Sequence, residues 1–211
     1  MGNKKLSSLV LLSLSSALVL AACGGEGSTA DSSESAGANG SDQVLNLIES
    51  AEIPTMDSVQ ATDTVAFTAL SNVNEGLYRQ GLDGTVELGI AAEDPTVSED
   101  GLVYTFTIRD EANWSNGEPV TAEDFVYSWR KLVDPAEAAS YSYMMAGVIA
   151  NATEIIDGAV APEELGVKAI DEKTLEITLT SPVPYFKDLL TLAMFFPQNQ
   201  AFVEEQGDQY A

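Results

Sequence analysis

Residues 102–135 constrain the possible fold more than any other part of the chain, because several independent local signals coincide there. In residues 102–109, apolar and polar side chains alternate, which is the pattern of a strand with one buried face. Asn116 and Gly117 follow, and this pair favours a reversal of the chain because both residues tolerate positive φ. We therefore predict a strand that ends in a tight turn.

An amphipathic helix is predicted to follow this turn. Thr121 and Asp124 have the spacing of a capping box, so the helix should begin directly after Thr121. It should end before Pro135, because the residue that precedes a proline avoids the α region. Its apolar stripe has the spacing i, i+4, i+7 and consists of Phe125, Trp129 and Leu132. The two tryptophans of the chain, Trp114 and Trp129, are expected to anchor the core.

The remaining patterns predict a mixture of strands and helices without internal repeats. The predicted strands are residues 44–49, residues 85–91, and a hairpin of residues 167–170 and 175–179. The predicted helices are residues 64–79, 136–149, 152–157, 185–192 and 201–207. Residues 93–101 are expected to form a loop. With 211 residues, 45% of them hydrophobic, the chain is long enough for one or two domains with a real core.

The composition excludes several kinds of function. Nine basic and 33 acidic side chains give a net charge of −24. An acidic surface repels phosphate backbones, so we expect no nucleic-acid partner. The chain contains no histidine, which rules out a Ser-His-Asp triad and a His-ligated zinc site within it. Carboxylates are abundant but no pair stands out, and we predict no catalytic residue, no metal and no cofactor.

The first 22 residues have the parts of a bacterial export signal. Lys4 and Lys5 form its positive region, and residues 9–22 form an apolar stretch that is too short to span a membrane. The stretch leads into the letters LAAC, which resemble a lipobox and end at Cys23, the only cysteine. We predict that residues 1–22 are removed and that the thiol of Cys23 is lipidated, which anchors the chain to the membrane.

A flexible tether is predicted directly after the lipidation site. Residues 24–42 are rich in glycine, serine and alanine and contain no large apolar side chain. Such a segment cannot bury enough surface to fold. Residues 23–42 are therefore expected to hold the folded part away from the outer face of the bacterial cytoplasmic membrane.

Three segments, in order along the chain, resemble extracellular solute-binding proteins of family 5. They read EGLY at residues 75–78, WSNGEPVTAEDFVYSW at residues 114–129, and LGVKAIDEKTLEITLTSPVPYF at residues 165–186. The resemblance extends from about Val44 to the last residue and is greatest to the branch that binds oligopeptides. Members of this branch serve peptide-importing ABC transporters.

The resemblance implies an α/β fold of the type II periplasmic-binding-protein kind. In that fold the ligand is enclosed between two large lobes, and a small α+β subdomain is attached to the first lobe. Residues 43–74 would begin the first lobe, residues 75–198 would form the small subdomain, and residues 199–211 would return into the first lobe. Family members are more than twice this long, so we expect the second large lobe to be absent and ligand binding by these residues alone to be impaired.

The resemblance also implies four ligand-binding positions. Thr62, Asp63 and Thr64 match a segment that pairs as an edge strand with the main chain of the peptide. Tyr141 matches an aromatic residue that lines the cleft. The residues themselves are equally compatible with a loop before a helix N-cap at residues 62–64 and with ordinary packing of Tyr141.

The function implied by the resemblance is the capture of oligopeptides outside the cell and their delivery to the permease subunits of an ABC transporter. The protein is expected to act as a monomer and to perform no covalent chemistry. A pheromone-sensing or surface-interaction lipoprotein on the same scaffold is the alternative, and a hydrolase that uses paired carboxylates is a third possibility.

Overall fold

Antiparallel β-structure forms the framework of the protein. The computed structural model describes residues 46–211, and within it the first sheet is a hairpin of β1 (Tyr78–Gln80) and β2 (Val86–Leu88). A second sheet has four strands, in the spatial order β3-β4-β6-β5. They are β3 (Thr96–Val97), β4 (Val103–Thr107), β5 (Val167–Ala169) and β6 (Thr174–Thr178).

In the described part of the chain, five α-helices accompany the two sheets. They are α1 (Thr64–Val73), α2 (Ala122–Val133), α3 (Ala152–Ile156), α4 (Phe186–Leu189) and α5 (Gln200–Gln206). Short 3-10 helices are found at Ser142–Met144, Pro162–Glu164, Ala193–Phe195 and Gly207–Gln209. Within residues 46–211, no helix is both long enough and apolar enough to cross a membrane.

The core lies between the four-stranded sheet and α2. On β4, Phe106 is fully buried and pairs in register with Leu175 of β6. Ile177, two residues further along β6, is also fully buried, and α2 packs against β5 and β6. The alternation predicted for residues 102–109 and for the hairpin of residues 167–179 is therefore confirmed, because one face of this sheet is covered by the helix.

The predicted capping box of α2 is present. The backbone N–H of Asp124 donates to Thr121 Oγ1 over 3.3 Å, and the backbone N–H of Thr121 donates to Asp124 Oδ2 over 2.8 Å. These bonds satisfy N–H groups that the first turn of a helix leaves without a partner. Asp134 ends the helix, and the three residues of its predicted apolar stripe, Phe125, Trp129 and Leu132, are fully buried.

Two side chains of α2 hold the chain that follows α4. Ser128 Oγ donates to the carbonyl of Phe196 over 2.7 Å, and Trp129 Nε1 donates to the carbonyl of Phe195 over 2.9 Å. Both donors are fully buried. Since a carbonyl buried without a partner would be costly, these bonds fix the path of residues 195–196 against the helix.

The helix predicted for residues 64–79 is too long. It ends at Val73, and Tyr78 already belongs to β1. Between them the chain passes through Gly76, where a Cβ would lie 2.7 Å from the Phe196 ring and would also press on the carbonyl of Leu190. The helix stops because this stretch must fit against distant residues, a constraint that hydrophobic periodicity does not reveal.

Three other predicted elements differ from the structure. Residues 46–49 form no strand, and Leu47 and Ile48 are exposed, because no strand among residues 46–211 lies beside them. Residues 136–149 form turns and one 3-10 helix in place of the predicted α-helix, since Ala138 adopts a left-handed φ of 50°. The predicted loop at residues 93–101 contains β3, which pairs with β4.

The shorter elements agree better with prediction. Helices α3 and α4 lie within residues 152–157 and 185–192 as expected, α5 begins one residue before the predicted range of 201–207, and β2 occupies the middle of the strand predicted at residues 85–91. Residues 47–211 form one compact unit. The predicted signal, the lipidation site at Cys23 and the tether lie outside the described residues, and the subdomain boundaries stay predictions.

Candidate ligand-binding cleft

A large concave surface lies on one side of this unit. Its volume is about 1660 Å³, above the roughly 300–1,000 Å³ of pockets for compact small molecules. It is lined by residues of α1, the β1–β2 hairpin, the segment after β4, the turns around Tyr141 and the chain before α5. A surface of this size suits an extended ligand better than a compact one.

One part of the cleft carries a network of opposite charges. Arg109 Nη2 lies 2.8 Å from Glu75 Oε2, and its Nη1 donates to the carbonyl of Gly89 over 3.0 Å. Arg79 Nη1 lies 3.6 Å from the other oxygen of Glu75, and its Nη2 lies 3.1 Å from Glu87 Oε2. Two guanidinium groups and two carboxylates thus alternate along the surface.

This network contributes little to stability but defines the chemistry of the cleft. The Arg79 side chain is 57% exposed and that of Arg109 43% exposed, and ion pairs that water reaches contribute at most about 1 kcal/mol. Asp83 and Glu111 also line the cleft and add two negative charges. Hydrogen bonds from Thr85 hold the pKa of Asp83 below its usual range, so that this side chain stays ionised.

Another part of the cleft is aromatic. The rings of Phe67 and Tyr141 meet edge to face with centroids 5.7 Å apart, and Tyr143 lies 5.9 Å beyond Tyr141. Phe67 and Tyr141 are partly buried against the core, whereas Tyr143 is 60% exposed. The row therefore runs from the core into solvent and offers apolar surface to a ligand.

Trp114 packs against the core, as predicted, and it also lines the cleft. Its indole is partly exposed, and its Nε1 donates to Asp124 Oδ2 over 3.1 Å. Burial raises the pKa of Asp124, and the hydrogen bonds from Thr121 and Trp114 oppose this rise. Trp129 is fully buried, as predicted.

The four predicted ligand-binding residues occupy two places. Tyr141 lines the cleft. Thr62, Asp63 and Thr64 stand at the start of α1, and none of them is among the residues that line it. Asp63 is the N-cap, since its Oδ1 accepts from the backbone N–H of Ala66 over 3.0 Å. Contact of these four residues with a ligand stays a prediction.

Sequence reasoning did not identify the charged network or the two partners of Tyr141. Arg79, Glu87 and Arg109 come from strands or strand ends, where solvent-facing charges are common and carry no signal of their own. Phe67 lies in the helix predicted at residues 64–79, where an apolar side chain carries no signal of a ligand-facing role. Within residues 46–211, no group of three or more cysteine, histidine, aspartate or glutamate side chains is arranged to hold a metal ion.

Comparison with known proteins decides the family. The description "Bacterial extracellular solute-binding proteins, family 5 Middle" matches residues 85–211 of this chain. The chain belongs to this family. As a family 5 solute-binding protein it has the predicted mixed α/β structure of the periplasmic-binding-protein kind, and the described residues cover a part of that fold.

Curated relatives of this family 5 protein bind peptides. The oligopeptide-binding protein OppA of Bacillus subtilis is 36% identical over 214 aligned residues, which cover 98% of this chain and 39% of OppA. A dipeptide-binding protein of Lactococcus lactis is 40% identical over 159 residues, which cover 75% of this chain and 28% of the relative. The family 5 chain thus spans between about a quarter and two fifths of the length of these relatives.

Solved structures of the family agree with the structure described here. Listeria monocytogenes OppA bound to peptide gives a TM-score of 0.75 at 48% identity, over 77% of this chain and 32% of that one. The pheromone receptor PrgZ, whose mode of peptide binding is known, gives a TM-score of 0.72 at 43% identity, over 75% of this chain and 31% of PrgZ. At these identities the likeness extends beyond the fold to the sequence.

Proposed function

We propose that this chain belongs to a substrate-binding protein that captures oligopeptides outside the cell and delivers them to the permease of an ABC importer. The observation that carries the proposal is the cleft of about 1660 Å³, which is lined by aromatic rings and by paired charges. It occurs in a chain whose relatives are named for the binding of oligopeptides and dipeptides.

The chemistry of the cleft matches that of a peptide. A peptide presents amide groups, side chains of varied polarity and two charged ends, and it needs both polar and apolar contacts. Arg79, Arg109 and their carboxylate partners supply the first kind, and the row from Phe67 to Tyr143 supplies the second. Pairing of Thr62–Thr64 with the peptide main chain would add affinity without reading side chains.

Anchoring at the cell surface completes the proposed role. Lipidation of Cys23 would hold the protein at the outer face of the cytoplasmic membrane, and residues 23–42 would give the receptor freedom to meet the permease. In this role the protein acts as a monomer and releases its ligand chemically unchanged. No metal or cofactor takes part.

A pheromone-sensing role on the same scaffold is the second candidate. The specific observation in its favour is the likeness to the pheromone receptor PrgZ at 43% identity. A sensor would prefer one peptide sequence, whereas a nutrient receptor would accept many. A competition binding assay with a set of unrelated tetrapeptides would separate the two roles. A nutrient receptor should bind many of them with similar affinity, whereas a sensor should bind one of them much more tightly than the rest.

The 211 residues alone are expected to bind peptide only weakly. The chain spans 39% of B. subtilis OppA and 28% of the L. lactis dipeptide-binding protein, and the cleft is exposed to solvent along the charged network. Affinity in a pocket depends on burying most of the ligand surface. We therefore expect dissociation constants in the millimolar range, roughly −4 kcal/mol.

NMR titration of the ¹⁵N-labelled chain with a mixture of tripeptides and tetrapeptides tests this proposal. Signals of cleft residues, including Tyr141 and Arg109, should shift in a saturable way, and the peptide masses should stay unchanged. Tyr141→Ala should reduce the shifts. Tyr185→Ala is the matched control, because Tyr185 is 55% exposed and does not line the cleft. Shifts confined to other surfaces, or cleavage of the peptides, would contradict the proposal.

A further inference from the structure

The segment around Trp114 is held by its own hydrogen bonds. The backbone N–H of Trp114 donates to the carbonyl of Glu118 over 2.8 Å, and the N–H of Gly117 donates to the carbonyl of Trp114 over 2.9 Å. Asn113 and Pro119 form an isolated bridge across the same turn. With a φ of 90° at Gly117, the reversal needs no strained side chain. The backbone that carries the indole is therefore well defined.

The indole is also held at its far end. Asp124, which accepts the Nε1–H, is only 9% exposed and is fixed in turn by the backbone N–H and the hydroxyl of Thr121. The ring is thus attached at the turn and, through its N–H, at the first turn of α2. A ring held at both ends loses little conformational freedom when a ligand binds, and such preorganisation increases affinity.

The two tryptophans of the chain differ in exposure and in the group that accepts the indole N–H. Trp129 is fully buried and donates to a backbone carbonyl. Trp114 keeps part of its ring open to the cleft, and its acceptor is a carboxylate that is nearly enclosed. Burying a carboxylate is unfavourable unless hydrogen bonds compensate, and here the N–H and hydroxyl of Thr121 and the indole N–H of Trp114 all donate to Asp124. The carboxylate therefore serves both as the cap of α2 and as the acceptor that orients the indole.

The cleft lining around Trp114 contains both apolar and polar side chains. The segment that carries Trp114 contributes Ala112 and Val120 together with Glu111, Asn113 and Ser115, and other parts of the lining contribute the apolar side chains of Tyr143, Met144 and Phe196. Met144 packs against the same core as Trp114. A flexible thioether in the lining of the cleft can adapt to apolar groups of different shape.

We propose that Trp114 forms an apolar subsite of the cleft, that it binds a bulky aromatic or aliphatic side chain of the captured peptide, and that Asp124 is its positioning residue. This inference rests on the proposed function and deepens it. The main chain of a peptide is the same for every sequence, so a preference among peptides requires side-chain subsites of this kind.

The first test follows the two indole N–H signals in ¹⁵N NMR spectra of the whole chain, with Trp114→Phe to assign them. The probes are the tripeptides Ala-Phe-Ala, Ala-Lys-Ala and Ala-Ala-Ala. Ala-Phe-Ala should shift the Trp114 indole signal most, and the Trp129 signal should stay in place. A larger shift with Ala-Lys-Ala would overturn the apolar assignment in favour of a cation–π contact.

The outcomes separate this subsite from the proposed function. Shifts at Tyr141 and Arg109 without any shift of the Trp114 indole would leave peptide binding intact and overturn the subsite. An absence of shifts with all three peptides would contradict peptide binding itself, and the subsite with it.

The second test concerns Asp124 and needs no ligand. Asp124→Ala should accelerate hydrogen exchange of the Trp114 indole N–H by about tenfold or more, because a bond to a charged acceptor is lost. Asp124→Asn retains an acceptor and should give an intermediate rate. Glu123→Gln is the matched control, since it removes an exposed charge from the same helical turn and should change nothing. Equal acceleration at both tryptophans, or none in either Asp124 variant, would overturn the positioning role.

Discussion

Lys131 and Asp57, 74 positions apart in the chain, form a salt bridge with 2.8 Å between Nζ and Oδ2. Their side chains are only 12% and 10% exposed. Gln198 donates to the other oxygen of Asp57 over 2.7 Å, and Lys131 also lies 5.4 Å from the centre of the Tyr210 ring. The segment before α1, the end of α2 and the chain before α5 are thus joined at one charged point.

Removing the positive charge from this point should destabilise the fold strongly. In Lys131→Met the Asp57 carboxylate keeps its burial but loses its counter-charge, and we expect the free energy of unfolding to fall by about 3–5 kcal/mol. Urea denaturation would measure the loss. Lys168→Met is the control, because the Lys168–Glu176 pair is solvent-exposed and should change stability by less than about 1 kcal/mol. Similar losses in both variants would contradict the difference in burial.

Removal of the Ser128 hydroxyl should lower the free energy of unfolding and should also shift NMR signals of cleft residues. Ser128→Ala leaves the carbonyl of Phe196 buried without this donor, which should cost about 1–3 kcal/mol in urea denaturation. Because Phe196 lines the cleft, NMR signals of residues 191–197 should also move. Ser115→Ala removes an exposed hydroxyl and should stay within about 0.5 kcal/mol of the parent. An effect of Ser128→Ala no larger than this control would be evidence against the bond.

The stability of the protein relative to Asp124→Asn should depend on pH. Burial raises the pKa of Asp124 in the folded state above its unfolded value, so folding favours the protonated form. This contribution is fully present below the unfolded pKa and is lost as pH rises through the higher folded pKa. Urea denaturation at several pH values should therefore show the parent losing stability relative to Asp124→Asn over that interval. A gain with rising pH would mean that the hydrogen bonds outweigh burial.

The export and anchoring signals give a prediction outside the described residues. When the chain is expressed in a bacterium, mass spectrometry should find residues 1–22 removed and an acyl-bearing Cys23, and the protein should sediment with membranes. Cys23→Ser should lack the lipid and leave the membrane fraction, because no other anchor is predicted. Glu26→Gln, a change in the tether, should leave lipidation unaffected. A membrane-bound Cys23→Ser variant without lipid would disprove the proposed anchor.

The secondary-structure elements that could be predicted well from the sequence are those specified by residues close to them in the chain. The path from β4 through the Asn116-Gly117 turn to the capped helix α2 was predictable because alternation, turn residues and the capping box all act within a few positions. The hairpin of β5 and β6 was predictable for the same reason. In each case the local signal and the tertiary packing agree.

The elements that sequence missed depend on distant contacts. The end of α1 at Val73 is imposed by the fit of Gly76 against Phe196, which lies 120 positions later. The irregular path after Pro135 turns at Ala138, whose left-handed φ no propensity for alanine predicts. The cleft was only partly predictable: Tyr141 came from the family resemblance, whereas its edge-to-face contact with Phe67 requires the folded chain.

The contacts of Asp57 also set an order of events during synthesis. Its amide partner Gln198 is 141 positions downstream, and a bacterial ribosome that adds roughly 5–20 residues per second reaches it some 7–28 s later. The counter-charge of Lys131 is synthesised 74 positions after Asp57, and during the rest of that interval Asp57 still lacks its hydrogen bond from Gln198. The contacts of the early residues are therefore complete only when the end of this region emerges, and a holding chaperone can act after Asp57 leaves the tunnel and before Gln198 does.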